Sequence, residues 1–352
     1  MWYIKAFCNK KIRLKFDFNS KPITILGYKL KQFYQYLPKR IKKCLSVTKL
    51  FIKSPSLSLR VKKRYQCSSP IYLLSFPRSG SSWVGSIIGH GKYTRYLREP
   101  ITTAFYYHKS MSASVFSRNK CEDWPLYYSL LKKASSTELT FLNSAVPEPT
   151  QWKNNNVKLP IIIKEVNPLI IEELAQLDIK LVYLTRHPFS IAKSYEALGW
   201  DKPNQFETRF TDNEISNLLT LEPDLVKQDF FYQIGFLQGF IERKFHELAL
   251  GKAIIYEELL ASPLNQFKRI FDTLDLKFSN EVEFNLMTSI SGKEQSQAGQ
   301  FDLVRNIESI KRISIKPEVL SSYNSTMAGY CSALKGMEKK AIYSNNKYVE
   351  FD

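Results

Sequence analysis

Apolar and polar positions along this chain follow two regimes that meet near residue 66. Before that point, in stretches such as GYKLKQFYQYLPKRIKKCLSVTKLFIK (27–53), basic residues interleave with aromatic and aliphatic ones and no single period holds. After it, short continuous apolar runs alternate with segments of helical spacing. PIYLLSF (70–76), LPIIIKEV (159–166), IKLVYLTRHP (179–188) and AIIYEELL (253–260) read as buried parallel strands. SSWVGSIIG (81–89), NPLIIEELAQL (167–177), residues 189–198, QDFFYQIGFLQGFIERKFHELAL (228–250), SPLNQFKRIFDTLDL (262–276) and KPEVLSSYNSTMAGYCSAL (316–334) read as helices. Two of them open on a cap followed by proline: Asn167-Pro168 and Ser262-Pro263.

Strands that alternate with helices predict an α/β fold, a parallel sheet with helices on both faces. The expected organisation is a basic N-terminal extension (1–65), one main domain (66–340) and a polar C-terminal tail (341–352). Residues 100–158, rich in Tyr, Ser and Asn, show no clear period, and the polar stretch 289–314 is expected to form a mobile flap.

Charge sharpens this division. Of the formal net charge of +18, residues 1–65 carry +17, with 18 Lys+Arg against the single acid Asp17. The body is nearly neutral, so the high pI describes the arm and says little about the body's ligand. Basic residues mixed with Phe, Tyr and Leu suit an anionic membrane surface. Nucleic acid is not an expected partner, because the body lacks a basic face and a recognisable binding motif. The five cysteines are odd in number and have no CxxC spacing, so neither disulfides nor zinc are expected and a reduced, cytoplasmic setting fits. No run of 18 apolar residues occurs and the first residues lack a secretory pattern, so neither a membrane span nor a signal peptide is expected.

The densest chemistry lies in LLSFPRSGSSWVGSIIG (73–89), where a buried strand hands over to a helix. A tight turn there aims backbone N–H groups at one spot, and the helix N-terminus favours negative charge. Gly80 lets the backbone approach a ligand, Ser79, Ser81 and Ser82 add hydroxyl donors, and Arg78 adds a permanent cation. This is a phosphate-type cradle, but it is not a Walker loop, and nothing in it calls for a metal. A second anion site is expected where Arg186 ends a strand and Ser194 follows eight residues later on a helix. The two sites read as separate cradles on one sheet edge.

At these residues the chain resembles the sulfotransferases that use 3′-phosphoadenosine 5′-phosphosulfate (PAPS). FPRSGSSW resembles their 5′-phosphosulfate loop and LTRHPFSIAKSY their 3′-phosphate segment. YLREP (96–100) and IIYEELLASP resemble stretches of the carbohydrate-type and bacterial members. The loop carries Arg78 where cytosolic members usually have Lys, and their C-terminal Arg-Lys-Gly segment is absent. SIKRIS (309–314) is only a faint substitute for it. The resemblance spans about 68–335. It implies PAPS as donor, no metal, and Arg78, Ser79, Gly80, Ser81, Ser82, Trp83, Arg186 and Ser194 as its ligands, with Trp83 stacked on the adenine. It also implies Glu99 as the base, with Arg78 stabilising the leaving oxygen. His108 competes with Glu99 because its ordinary pKa lies nearer neutrality, and Lys164 is expected to reach a sulfate oxygen or the substrate. The acceptor implied is a glycan, glycolipid or similar hydroxylated molecule, and a small-molecule acceptor is the alternative. Two other classes compete. A P-loop kinase needs a Lys after the glycine and a magnesium carboxylate, and a membrane- or polymer-binding module needs only a vestigial loop.

Overall fold

The predicted strands are apolar on both sides of the pleat, so each needs cover above and below. The computed structural model describes residues 69–102, 115–135, 145–152, 159–291 and 313–351, all within one compact unit. Its main sheet comprises β1 (Ile71–Ser75), β2 (Arg95–Arg98), β3 (Ile161–Glu165), β4 (Lys180–Thr185) and β5 (Ile254–Ile255). The strand order is β2-β3-β1-β4-β5, and every pairing is parallel. The helices, in chain order, are α1 (Ser81–Ile88), α2 (Trp124–Ser135), α3 (Ile171–Ala175), α4 (Pro188–Glu196), α5 (Asp212–Leu221), α6 (Phe230–Glu247), α7 (Tyr256–Ala261), α8 (Pro263–Thr273), α9 (Asn280–Ile290) and α10 (Leu320–Ala333).

Alternation along β1 divides the core in two. Tyr72 and Leu74 join a cluster filled by α2, α3, α4 and α6, whereas Ile71 and Leu73 join one filled by α1, α7, α8 and α9. The fold is therefore α/β, with a parallel sheet covered on both faces. Among the described residues no helix is long and apolar enough to cross a membrane.

Three expectations change. The fourth predicted strand, 253–260, is extended only at Ile254–Ile255 and becomes α7 at Tyr256. Tyr256, Leu259 and Leu260 are buried at helical spacing, and Glu257 and Glu258 occupy the first turn, where a helix favours carboxylates. β2 escaped notice because arginines flank its two apolar residues. Arg95 is nonetheless buried, donating from Nη2 to the Leu159 carbonyl at 2.7 Å and lying 5.4 Å from the Trp152 ring centre. Residues 341–351, read as a polar tail, carry buried Tyr343 and Tyr348 and end in β7 (Val349–Phe351), which pairs in parallel with β6 (Ile313–Ile315). The basic arm at 1–65 lies outside the described residues. So does most of the flap, whose described ends belong to α9 and β6.

Candidate functional site

In an open parallel sheet, ligands bind outside the carboxyl ends of the strands, where successive helices leave for opposite faces. That point here lies between β1, whose helix α1 covers one face, and its neighbour β4, whose helix α4 covers the other. The residues singled out by sequence gather along this edge. Arg78–Ser82 follow β1, Glu99 follows β2, Lys164 sits near the end of β3, and Arg186 follows β4 with Ser194 on α4.

The β1 loop turns through two left-handed residues, Arg78 at φ 73° and Gly80 at φ 83°. The Ser79 amide donates to the Phe76 carbonyl at 3.2 Å, and the Gly80 carbonyl accepts from Trp83 and Val84 at 3.0 and 3.2 Å. The amides of Ser81 and Ser82 lie in the first turn of α1 and have no intrahelical acceptor. Ser79 Oγ is fully buried and has no hydrogen-bond partner among the described residues. The loop thus presents unmet donors at a helix N-terminus.

Arginine side chains bind the β1 loop to α4. Arg78 Nε donates to Ser194 Oγ at 2.9 Å, and Arg186 Nη1 donates to the Arg78 carbonyl at 3.0 Å. The Arg186 guanidinium carbon lies 5.0 Å from the centre of the Tyr256 ring. The two loops read as separate cradles are linked through Arg78. The cause is the β1–β4 pairing, which sets the two loops side by side.

On the other side of β1, the β2–β3 register places Arg98 beside Lys164. The next residue, Glu99, donates its amide to the Lys164 carbonyl at 2.7 Å, and its carboxylate accepts from Lys164 Nζ in an ion pair. The Lys164 side chain is almost fully buried and that of Glu99 is one-fifth exposed. Four non-glycine residues in the described chain have positive φ: Arg78, Glu99, Ala249 and Asp275. The last two sit just past the ends of α6 and α8, an ordinary helix stop. Arg78 is the third residue of the turn Phe76–Ser79, a position that favours glycine, and Glu99 lies just past β2. Left-handed backbone costs a bulky residue about 1–2 kcal/mol, and strain of this kind gathers at functional sites. The two residues proposed from sequence for the chemistry are the two strained ones at the strand ends.

Other expectations fare differently. Trp83 is fully buried, donates from Nε1 to Ser289 Oγ at 2.9 Å and meets the rings of Tyr256 and Phe267 edge-on. It is a core residue with no face open to an adenine, which corrects its assignment as a ligand. His108 lies outside the described residues. His187 acts as a cap: its Nδ1 accepts from the Phe189 amide at 3.3 Å, and burial beside Arg186 pushes its pKa down to about 3. Among the described residues no group of three or more His, Cys, Asp or Glu is placed to hold a metal ion.

Two participants were missed. Glu165 is buried and accepts from the Ile101 amide, the Thr102 amide and Thr102 Oγ1 at 2.7, 3.3 and 2.6 Å. Burial outweighs these bonds and, helped by the Glu99 charge, pushes its pKa up to about 7. Tyr343, from the C-terminal segment, donates to Glu257 at 3.0 Å, and Glu257 accepts the His187 amide at 2.9 Å. The segment thereby anchors the loop that carries Arg186. Only the adjacency of a charged pair, Lys164-Glu165, to a strand end signalled the first. Nothing local signalled the second.

No family model matches the chain, and no curated protein matches it in sequence. Among solved structures, it is similar to the sulfotransferase domain of the Synechococcus PCC 7002 olefin synthase at 16% identity, covering 77% of this chain and 95% of that one with a TM-score of 0.38. Sulfotransferase STF9 from Mycobacterium avium matches at 13% identity over 83% of this chain and 81% of that one, with a TM-score of 0.40. Mouse sulfotransferase SULT7A1, complexed with PAP, matches at 14% identity over 83% of this chain and 91% of that one, with a TM-score of 0.35.

Proposed function

We propose that this chain moves a sulfuryl group from PAPS to a hydroxyl, less readily an amine, of a glycan, glycolipid or similar acceptor. The observation that carries the reading is the convergence on one sheet edge of two strained residues with matched chemistry. Arg78 lies in the loop that leads into the N-terminus of α1, and Glu99 is held by a buried ammonium. The residues present fit an oxyanion-bearing donor: the cradle offers open amides, an orphaned buried hydroxyl at Ser79 and two guanidinium groups.

The donor, when bound, supplies an activated sulfuryl group on a phosphate leaving group. Arg78 and the amides of Ser81 and Ser82 would hold the charge that gathers on that phosphate, in a preorganised site where such donors are worth most. Arg186 and Ser194 would hold the second phosphate. Glu99 would take the proton from the acceptor, and Lys164 would keep the carboxylate aimed at it. The basic arm at 1–65 would hold the protein on an anionic membrane surface beside a lipid-linked acceptor.

Calorimetric titration tests the donor half directly. The full chain is titrated with adenosine 3′,5′-bisphosphate without magnesium, beside ATP with and without it. Selective binding of the bisphosphate, weakened at least about tenfold in Arg78→Ala and Arg186→Ala, is the expected result. Binding of ATP alone, and only with magnesium, would replace this reading with a nucleotide kinase.

A further inference from the structure

The C-terminal segment 341–351 is fastened to the body by carboxylates. Glu242 of α6, itself buried, accepts the Ile342 amide at 2.8 Å and the Tyr330 hydroxyl at 2.8 Å. The oxygen of that hydroxyl accepts the Tyr343 amide at 3.2 Å. Tyr343 is thereby set with its ring buried among Tyr330, Tyr348 and the His187 imidazole, whose centre lies 5.2 Å away. Its hydroxyl donates to Glu257 Oε2 at 3.0 Å, and the other oxygen of that carboxylate, Oε1, accepts the His187 amide at 2.9 Å. Glu257 is therefore a bridge with one oxygen on each side.

The His187 amide belongs to the planar peptide unit that includes the Arg186 Cα. The bond from Glu257 thus fixes the root of the Arg186 side chain. Tyr256, one residue earlier on α7, steadies the other end, its ring centre 5.0 Å from the guanidinium carbon. From there Arg186 Nη1 donates to the Arg78 carbonyl at 3.0 Å. A line of contacts runs from Tyr343 through Glu257 and Arg186 to the β1 loop. Burial raises the Glu257 pKa, and the His187 amide, the Arg186 charge and the Tyr343 hydroxyl act against it. A desolvated carboxylate depends on each donor it has. Without the Tyr343 hydroxyl, Oε2 loses its partner and the carboxylate is free to turn away from the His187 amide.

We infer that Tyr343 is a positioning residue of the donor site: through Glu257 it holds the Arg186–His187 peptide, so that the docked C-terminal segment sets nucleotide affinity without touching the nucleotide. The inference rests on the proposed sulfuryl-transfer reading, in which Arg186 meets the second phosphate.

The test is a titration series on the full chain. Adenosine 3′,5′-bisphosphate and adenosine 5′-phosphate are each titrated into wild type, Tyr343→Phe and Tyr348→Phe. Both variants keep their rings, and urea unfolding checks that they remain folded. Tyr348 is the control within the same segment: its hydroxyl donates to Glu258 at 3.0 Å, where Lys347 also donates at 3.1 Å. Tyr343→Phe should weaken the bisphosphate about three- to tenfold and leave the monophosphate, which lacks the group that Arg186 meets, within about twofold. Tyr348→Phe should leave both within about twofold. Equal losses for the two nucleotides in Tyr343→Phe, no loss there, or the same loss in Tyr348→Phe would overturn the inference and leave sulfuryl transfer standing. A wild type that binds no bisphosphate would overturn both.

Discussion

Replacing Gly80 by alanine tests the floor of the cradle. The residue has φ +83°, and a Cβ built there lies 2.2, 2.6 and 2.9 Å from three ring atoms of Tyr256. Two costs add. The left-handed backbone charges any L-residue about 1–2 kcal/mol. Forcing a methyl against a packed ring costs a further ~1–3 kcal/mol, because Tyr256 is buried and hemmed by Trp83 and Arg186. The chain contains its own control. Gly199 also has positive φ, +66°, but nothing lies within 4 Å of where its Cβ would be. Gly199→Ala carries the backbone cost alone, and the entropy gained by stiffening the unfolded chain is common to both variants and cancels.

Urea unfolding should therefore place Gly80→Ala about 1–3 kcal/mol below Gly199→Ala. Adding Tyr256→Ala to each removes the ring, and the excess should vanish in that background, a coupling that a double-mutant cycle reads directly. Bisphosphate binding should fall in Gly80→Ala and not in Gly199→Ala, since a displaced Tyr256 takes Arg186 with it. Equal unfolding midpoints for the two alanine variants would refute the packing of Tyr256 under the loop, and with it the argument that this ring sets the Arg186 position.

Three further outcomes follow from the buried charges. Glu99→Ala strands the Lys164 ammonium in the core and should cost about 3 kcal/mol. Adding Lys164→Met should restore most of it, and a double variant less stable than Glu99→Ala would defeat the pair as drawn. Glu165 and His187 should oppose each other in pH dependence. Glu165 rises from 4.5 to about 7 on folding, so the folded state keeps a proton that the unfolded state gives up, and stability falls as pH rises through that window. His187 drops from 6.5 to about 3, so the unfolded state takes a proton that the folded state refuses, and stability falls as pH drops through that window. Between pH 4.5 and 6.5 these two contributions oppose each other, so each variant is read relative to the wild type. Glu165→Gln should there gain stability with rising pH and His187→Asn should lose it, each by roughly 2–3 kcal/mol across the window. Unfolding midpoints at several pH values decide this, and parallel profiles for all three proteins would sink it.

What the sequence disclosed and what it hid divide by distance along the chain. The β1 turn was legible because its parts are consecutive: an apolar run, a proline, a cation, a glycine and hydroxyls, each with a local conformational reason. β3 and β4 were legible for the same cause, as unbroken apolar runs. Wherever one residue's meaning depends on a distant one, the reading thinned. Trp83 looks like a ligand beside Gly80 and is a core residue because Phe267 and Ser289 close over it. Tyr256 looks like part of a strand until Leu259 and Leu260 are seen to be buried with it. Tyr343 looks like tail and holds the His187 loop through Glu257.

The same distinction explains why Glu99 could be named and Glu165 could not. A carboxylate before a proline, ten residues after a helix, has a recognisable place at a pocket mouth. Glu165 gains its character only from what folding brings against it: the amides of residues 101 and 102, the Glu99 charge, and exclusion of water. Lys164 holds one carboxylate, and that carboxylate is Glu99. An ionised Glu165 would instead add a second buried negative charge that Glu99 repels. The left-handed backbone of Glu99 and the raised pKa of Glu165 both belong to the β2–β3 edge, and neither is visible until those strands are paired.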